Sequence, residues 1–247
     1  MTVLRFPAGA AVGRIWWDGV GADRPAAGTV EVPDGAAVEL AVGRSRYRGK
    51  KRDRKGDGYG NKPRAVDLDF IRDLPADSVS SLSLTDVVPA SFAAVAHLAP
   101  GLRDLSVFID DLGADAPAVI AELMALESLD LAGHNPLFPG DEPTSQRLDD
   151  HALSAIANLP ALESLTLLGG SYTERGLREL TRLVTLRRLE IEREGLTAPM
   201  FRFAAALPAL TELDWLDSSR GYGPTPPAEI ERVRAMLPHI SVCEPAR

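Results

Sequence analysis

Apolar residues in this chain recur as a spaced triplet, with two residues between the first and second members and one between the second and third. The triplet stands at Val79/Leu82/Leu84, Leu102/Leu105/Val107 and Leu126/Leu129/Leu131. It returns at Leu162/Leu165/Leu167, Leu186/Leu189/Ile191, Leu210/Leu213/Trp215 and Leu237/Ile240/Val242. Successive triplets begin 23, 24, 36, 24, 24 and 27 residues apart, and a weaker copy at Val66 and Leu68 leads the series. The last two members alternate with polar residues, as on a strand that buries one face. The first member enters the same core from the preceding turn. Between triplets the pattern becomes helical, over 91–99, 116–125, 149–159, 174–183, 198–207 and 227–236. In 173–183, Leu177, Leu180 and Leu183 form one apolar stripe among charged residues, and Thr173 is placed to cap it. Pro199 and Pro226-Pro227 fall near helix starts, where proline is tolerated.

A strand followed by a helix at a fixed period predicts an α/β solenoid, with parallel strands on the concave face and helices on the convex face. An ordinary doubly wound α/β domain also alternates strand and helix, but nothing in it imposes a period of about 24 residues. The runs GLRELTRLVTLRRLEIEREGLTAPMFRFAAALPALTELDW and FAAVAHLAPGLRDLSV resemble bacterial leucine-rich-repeat proteins of the ribonuclease-inhibitor-like, helix-containing type. The resemblance covers about 65–243 and implies a leucine-rich-repeat solenoid of about seven to eight repeats over 65–247. It also implies protein interaction as the class of function. One departure stands out. The asparagine or cysteine usual three residues after the last strand leucine is replaced by Val87, Asp110, His134, Gly170, Glu194 and Ser218. The turns of this chain must therefore satisfy their backbone groups by other means.

Residues 1–43 lie outside the repeat and read as a small β-rich N-terminal cap over the first repeat's core. Val30 and Val32, then Val38, Leu40 and Val42, alternate on either side of Pro33-Asp34-Gly35, a hairpin signal. Leu4–Phe6 and Ile15–Trp17 are two further short strands in this reading, and only one of Trp16 and Trp17 can face inward.

Charge changes the picture next. The chain carries a net charge of −8, yet residues 44–64 hold ten basic residues against Asp53 and Asp57, so this short glycine-rich stretch is +8 and the remainder −16. The stretch reads as a solvated linker, as a segment docking on an acidic surface, or as a nucleic-acid or anionic-ligand contact with Tyr47 and Tyr59 available for stacking. Gly56-Asp57-Gly58-Tyr59-Gly60 lacks the Lys-Ser/Thr of a phosphate loop, and Lys55 and Arg64 occupy positions where a calcium loop needs acids.

Register then assigns the outward strand positions. They are Asp67 and Asp69; Ser81, Ser83 and Thr85; Asp104, Ser106 and Phe108; Ser128, Asp130 and Ala132; Ser164, Thr166 and Leu168; Arg188, Glu190 and Glu192; and Glu212, Asp214 and Leu216. Serine and threonine there are what any solvated strand shows. Eight acids against one arginine are more than solubility asks, because like charges on neighbouring strands repel. The expectation is a binding face for a basic, partly apolar protein or peptide, with Phe108, Leu168 and Leu216 as its apolar column. Two long insertions, 134–147 and 217–225, leave from the same end of their strands and offer Phe138 and Tyr222 as rim anchors.

Motifs for chemistry are few. His134 and His151 flank the first insertion with Asp141, Glu142, Asp149 and Asp150, without a recognised ligand spacing, and Asp149–Asp150 more simply cap the following helix. No G-x-S-x-G or H-E-x-x-H occurs, and Cys243 lacks a neighbouring base apart from His239. The expectation is a non-enzymatic module with no metal and no cofactor. One cysteine suits a reducing compartment, and neither a signal-peptide core nor a membrane-length apolar run is present, which points to the cytoplasm.

Overall fold

The computed structural model describes residues 1–9, 11–19, 23–43, 65–108, 113–132, 148–192, 196–216 and 226–243. Strands β1 (Thr2–Arg5), β2 (Gly13–Trp17), β3 (Arg24–Pro25), β4 (Thr29–Val32) and β5 (Val38–Val42) precede the repeats. The triplets form β6 (Ser81–Thr85), β7 (Asp104–Phe108), β8 (Ser128–Ala132), β9 (Ser164–Leu168), β10 (Arg188–Glu192), β11 (Glu212–Leu216) and β12 (Ser241–Cys243). One ten-stranded sheet runs β12-β11-β10-β9-β8-β7-β6-β5-β2-β3, and every pair from β5 to β12 is parallel. The sheet with helical segments along its other side is a leucine-rich-repeat solenoid.

Period sets the core. The second triplet positions Leu82, Leu105, Leu129, Leu165, Leu189 and Leu213 stand side by side, continued by Leu40 of β5 at one end and at the other by Val242, the third member of the last triplet, so β12 joins two residues out of the register its triplet implied. The third form a parallel row of Val42, Leu84, Val107, Leu131, Leu167, Ile191 and Trp215. Both rows are buried, and so are the leading residues Val79, Leu102, Leu126, Leu162, Leu186, Leu210 and Leu237. Each such side chain is worth roughly 1.5–3 kcal/mol relative to exposure, and it gains that only with a neighbouring coil in place.

The convex side is mixed. It carries α1 (Ala116–Glu122), α2 (Asp150–Ile156), α3 (Glu174–Glu179) and α4 (Pro227–Met236). The helical patterns over 91–99 and 198–207 are realised as 3-10 helix, over Pro89–Leu98 and Ala198–Ala206, and α3 continues as 3-10 helix over Leu180–Arg182. Phe92/Val95/Leu98 and Phe201/Ala204/Leu207 are buried three apart, a spacing that suits the 3-10 helix, with Ala94 and Phe203 buried between them. In α1, Ala116, Val119, Ile120 and Leu123 are buried at steps of three, one and three, as 3.6 residues per turn requires.

At the strand entrances, the opposite end from the missing asparagine positions, the backbone groups of successive coils satisfy one another. The carbonyl of Ser80 accepts the amides of Arg103 and Asp104 at 2.8 and 3.0 Å. Arg103 O does the same for Glu127 and Ser128, Glu127 O for Glu163 and Ser164, and Glu163 O for Arg187 and Arg188, each pair at 2.8 and 3.0 Å. Arg187 O receives Thr211 and Glu212 at 2.9 and 3.0 Å. The longest interval between triplets, across 133–147, leaves the geometry of this series unchanged.

Two expectations for the N-terminal part are corrected. No hairpin forms across Pro33-Asp34-Gly35: β4 pairs antiparallel with β1, whereas β5 pairs with β2 and β6. Alternation made 38–42 a strand but could not name its partner, and an edge position beside β6 offers it two. Asp67 and Asp69 are not outward residues of a sheet strand. Val66 makes only an isolated bridge to Val87, and Asp69 opens a short 3-10 helix, Asp69–Asp73. The place beside β6 is filled by β5, so Glu39 and Ala41 stand where those aspartates were expected. Close backbone approach makes this junction possible. Gly43 has φ +91, and a Cβ there would lie 1.7 Å from the carbonyl oxygen of Thr85, while one on Gly13 would lie 1.8 Å from that of Ala41. Ile15 and Trp17 are buried and Trp16 is turned to the opposite face, half-buried. No helix among the described residues is long and apolar enough to cross a membrane.

Candidate functional site

The outward side chains of the sheet stand in three columns perpendicular to the strands. The first is Glu39, Ser81, Asp104, Ser128, Ser164, Arg188, Glu212 and Ser241. The middle column is Ala41, Ser83, Ser106, Asp130, Thr166, Glu190, Asp214 and Cys243. The third contains Thr85, Phe108, Ala132 and Leu168, and then Glu192, whose register partner on β11 is Leu216. Of the expected site residues, Asp104, Phe108, Asp130, Leu168, Arg188, Glu190, Glu192, Glu212 and Asp214 thus share one sheet face. Asp67 and Asp69 do not. Phe138 and Tyr222, and the whole basic stretch 44–64, lie outside the described residues.

Arg188 is the centre of the acidic half. Its guanidinium lies 2.7 Å from Asp214, 3.7 Å from Glu212 and 3.9 Å from Glu190. One cation therefore faces three carboxylates. Asp214 takes the shortest bond and is the least exposed partner, at 14%. Glu190 is held above the usual carboxylate range by burial and by Asp214, against the opposing pull of Arg188.

Among the described residues, Asp130 has no such partner. One of its carboxylate oxygens is enclosed without a hydrogen-bond donor. Burial, helped by the charge of Glu190, pushes its carboxyl up to about 6. Asp104 is also raised, by burial first and then by Glu127 and Glu39. Among the described residues, acids on this face thus outnumber the single base Arg188.

The third column is apolar only in its first part. Phe108 is 36% exposed and leads to Ala132 and Leu168, both half-buried. Glu192 then interrupts the run, and its carboxylate accepts the backbone N–H of Gly169 in a short hydrogen bond. Beneath this corner lies Tyr172, which sequence reasoning missed. Its ring packs against Gly170, where a Cβ would fall 1.9 Å from the ring carbon that bears the hydroxyl. Its hydroxyl is buried without a hydrogen-bond partner. Burial, then Glu192 and Asp149, push the phenol well above its ordinary value and keep it neutral. The adjacent Gly169-Gly170 was the only sequence sign of a close approach there.

Other candidate chemistry resolves into structure. Asp149 caps α2, accepting the amides of His151 and Ala152 at 2.9 and 3.1 Å. Asp150 instead reaches the next repeat, where it accepts the Thr173 amide at 2.9 Å and hydroxyl at 2.5 Å. Thr173 in turn caps α3 through the Gly176 amide at 3.3 Å. His97 contacts the Leu74 carbonyl through Nε2 at 2.8 Å. Among the described residues, no group of three or more His, Cys, Asp or Glu side chains is arranged to hold a metal ion. Cys243 is exposed on the sheet face, with its Sγ 3.6 Å from the Ser241 hydroxyl.

No protein-family model and no curated protein matches the sequence. Among solved structures, an internalin (InlF) from Listeria monocytogenes is similar at 17% identity and a TM-score of 0.40, over 74% of this chain and 51% of that one. The chain spans about half the length of that internalin.

Proposed function

We propose that this protein is a non-enzymatic interaction module whose sheet face takes a basic, partly apolar protein or peptide. The observation that carries the reading is the imbalance of charge around Arg188. Asp104, Asp130, Glu190 and Glu212 line two columns over β7–β11, and Arg188 sits among the last of them, already bound to Asp214. Arginine or lysine side chains of a partner would supply the missing counter-charge, and electrostatic complementarity of this kind fixes partner choice and speeds association. Phe108 and Leu168 offer an apolar strip beside the acids for the partner's hydrophobic residues. The helix-containing type of bacterial leucine-rich-repeat protein and a cytoplasmic setting complete the proposal.

The test is binding of a blocked peptide that alternates arginine and leucine, followed by fluorescence anisotropy at fixed salt. Native protein binds it, and the triple variant Asp104→Lys, Glu190→Lys, Glu212→Lys loses at least tenfold in affinity, equivalent to about 1.4 kcal/mol. Glu192 and Asp214 are left in place, since each holds a partner within the fold. Equal affinity of the variant and the native chain, with circular dichroism unchanged, overturns the proposal, as does failure of the native chain to bind.

A further inference from the structure

The middle column is more than a row of fixed negative charges. Asp130 sits on β8 between Ser106 of β7 and Thr166 of β9. From β9 it faces Ser164, Thr166 and Leu168, none of them charged. From β7 the charged outward residue is Asp104, and from β5, beyond the uncharged Ser81, Ser83 and Thr85 of β6, it is Glu39. From β10 come Arg188, Glu190 and Glu192, from β11 Glu212 and Asp214, and from β12 the thiol of Cys243.

Among these groups Arg188 is the one cation, and it is engaged with Asp214 and within ion-pair reach of Glu212 and Glu190. Asp130 and Glu190 are two strands apart, about 10 Å between backbones at the usual strand spacing. They repel each other across Thr166 with no base between them. The enclosed, donorless oxygen of Asp130 adds an independent geometric strain on the charged form. An ionised carboxylate there forgoes a hydrogen bond that water would give it, a cost that falls more heavily on the charged form than on the neutral acid.

We infer that the acidic face is proton-controlled: on mild acidification Asp130 becomes neutral, the repulsion it shares with Glu190 is relieved, and a cationic partner is held less tightly. This rests on the reading that the face takes such a partner. The raised carboxyl of Asp130, at about 6, and the raised Glu190 agree with it in sign. An acid held above its ordinary range is charged above that pH and neutral below it, so affinity for cations is full near neutrality and falls as protons arrive.

The experiment uses the full chain and the blocked arginine–leucine peptide, which has no group titrating between about pH 7.5 and 5.5. Affinity is measured at both ends of that interval at constant ionic strength, on native protein and on the double variant Asp130→Asn, Glu190→Gln. In parallel, carbon NMR follows the side-chain carboxyl carbons of both residues without peptide. The native chain binds on the order of tenfold more weakly at the acid end, as expected for losing a charge-assisted contact. The double variant binds weakly at both ends with the pH dependence flattened, and in the native chain the Asp130 carboxyl titrates within the interval. Native binding that is tight and unchanged across the interval overturns the proton control and leaves the binding reading standing. No peptide binding at either end sinks the binding reading, and an Asp130 carboxyl that titrates in the ordinary carboxylate range then overturns the proton control on its own.

Discussion

The first 43 residues and the repeat array contribute to one continuous sheet, yet they are held in it by different means. From β6 to β11 each strand is specified by a leucine period, and the same three buried rows serve each of these coils. Before β6 no period exists. There β5 sits between a parallel neighbour, β6, and an antiparallel one, β2, and the join depends on glycines whose Cβ would strike a facing carbonyl. The array is specified redundantly by apolar volume, and the N-terminal part by the absence of volume at a few positions. Loss of a leucine should therefore be felt along the coil, and addition of a methyl should be felt at one seam.

The sharpest way to break that contrast is Leu165→Ala. Leu165 is fully buried between Leu129 and Leu189, and its truncation should cost about 3–4 kcal/mol with the residual cavity included. Urea unfolding followed by circular dichroism reads the loss. A drop below 1 kcal/mol would mean that the neighbouring coils collapse into the gap, and the array would then be less rigid than its register implies. Gly43→Ala comes second, at about 2–3 kcal/mol, from left-handed backbone and a facing carbonyl together. Its signature is local: amide exchange should quicken in 13–17 and 38–42 while β8–β11 stay protected. Uniform loss of protection would erase the distinction between the two regions. Smallest is Asp149→Ala, which removes a helix cap inside the array for about 1 kcal/mol. Asp150→Ala is the informative companion, because its two bonds go to Thr173 in the next coil. Greater loss of thermal stability for Asp150→Ala than for Asp149→Ala shows that coupling between coils outweighs capping within one.

These regions also differ in how far they could be read from residues alone. Within the array, period two on the strands assigned Asp104, Asp130, Glu190 and Asp214 to one face because a one-residue slip would have buried all of them. The helical segments were less legible. A stripe at i, i+3, i+6 suits either kind of helix over a short span, and Phe92/Val95/Leu98 turned out to follow the tighter one. The cap failed at pairing rather than at elements. Val30–Val32 and Val38–Val42 are strands, but alternation says nothing about which backbone a strand meets, and β1 and β2 claimed them separately. Asp67 and Asp69 were lost for the same reason, since the two apolar residues Val66 and Leu68 were too few to fix a strand against the three buried in β5, Val38, Leu40 and Val42. At the candidate site, composition announced the acids. It could not announce that Arg188 favours Asp214, that Glu192 turns back to Gly169, or that Tyr172 lies beneath them, because each depends on distances between coils.

The carbonyls of Ser80, Arg103, Glu127, Glu163 and Arg187 each receive two amides from the coil that follows, with nearly the same geometry at every step. None of these bonds uses a side chain, so this part of the joint between coils is indifferent to sequence, unlike the packed leucine rows and the Asp150–Thr173 bonds beside it. The chain is in this respect built like a modular rack, in which any unit that ends with a free carbonyl accepts any unit that begins with two amides. A duplicated copy of residues 164–187 would find both of its couplings already in place, and the length of the sheet face becomes a quantity that whole-unit duplication or deletion can adjust.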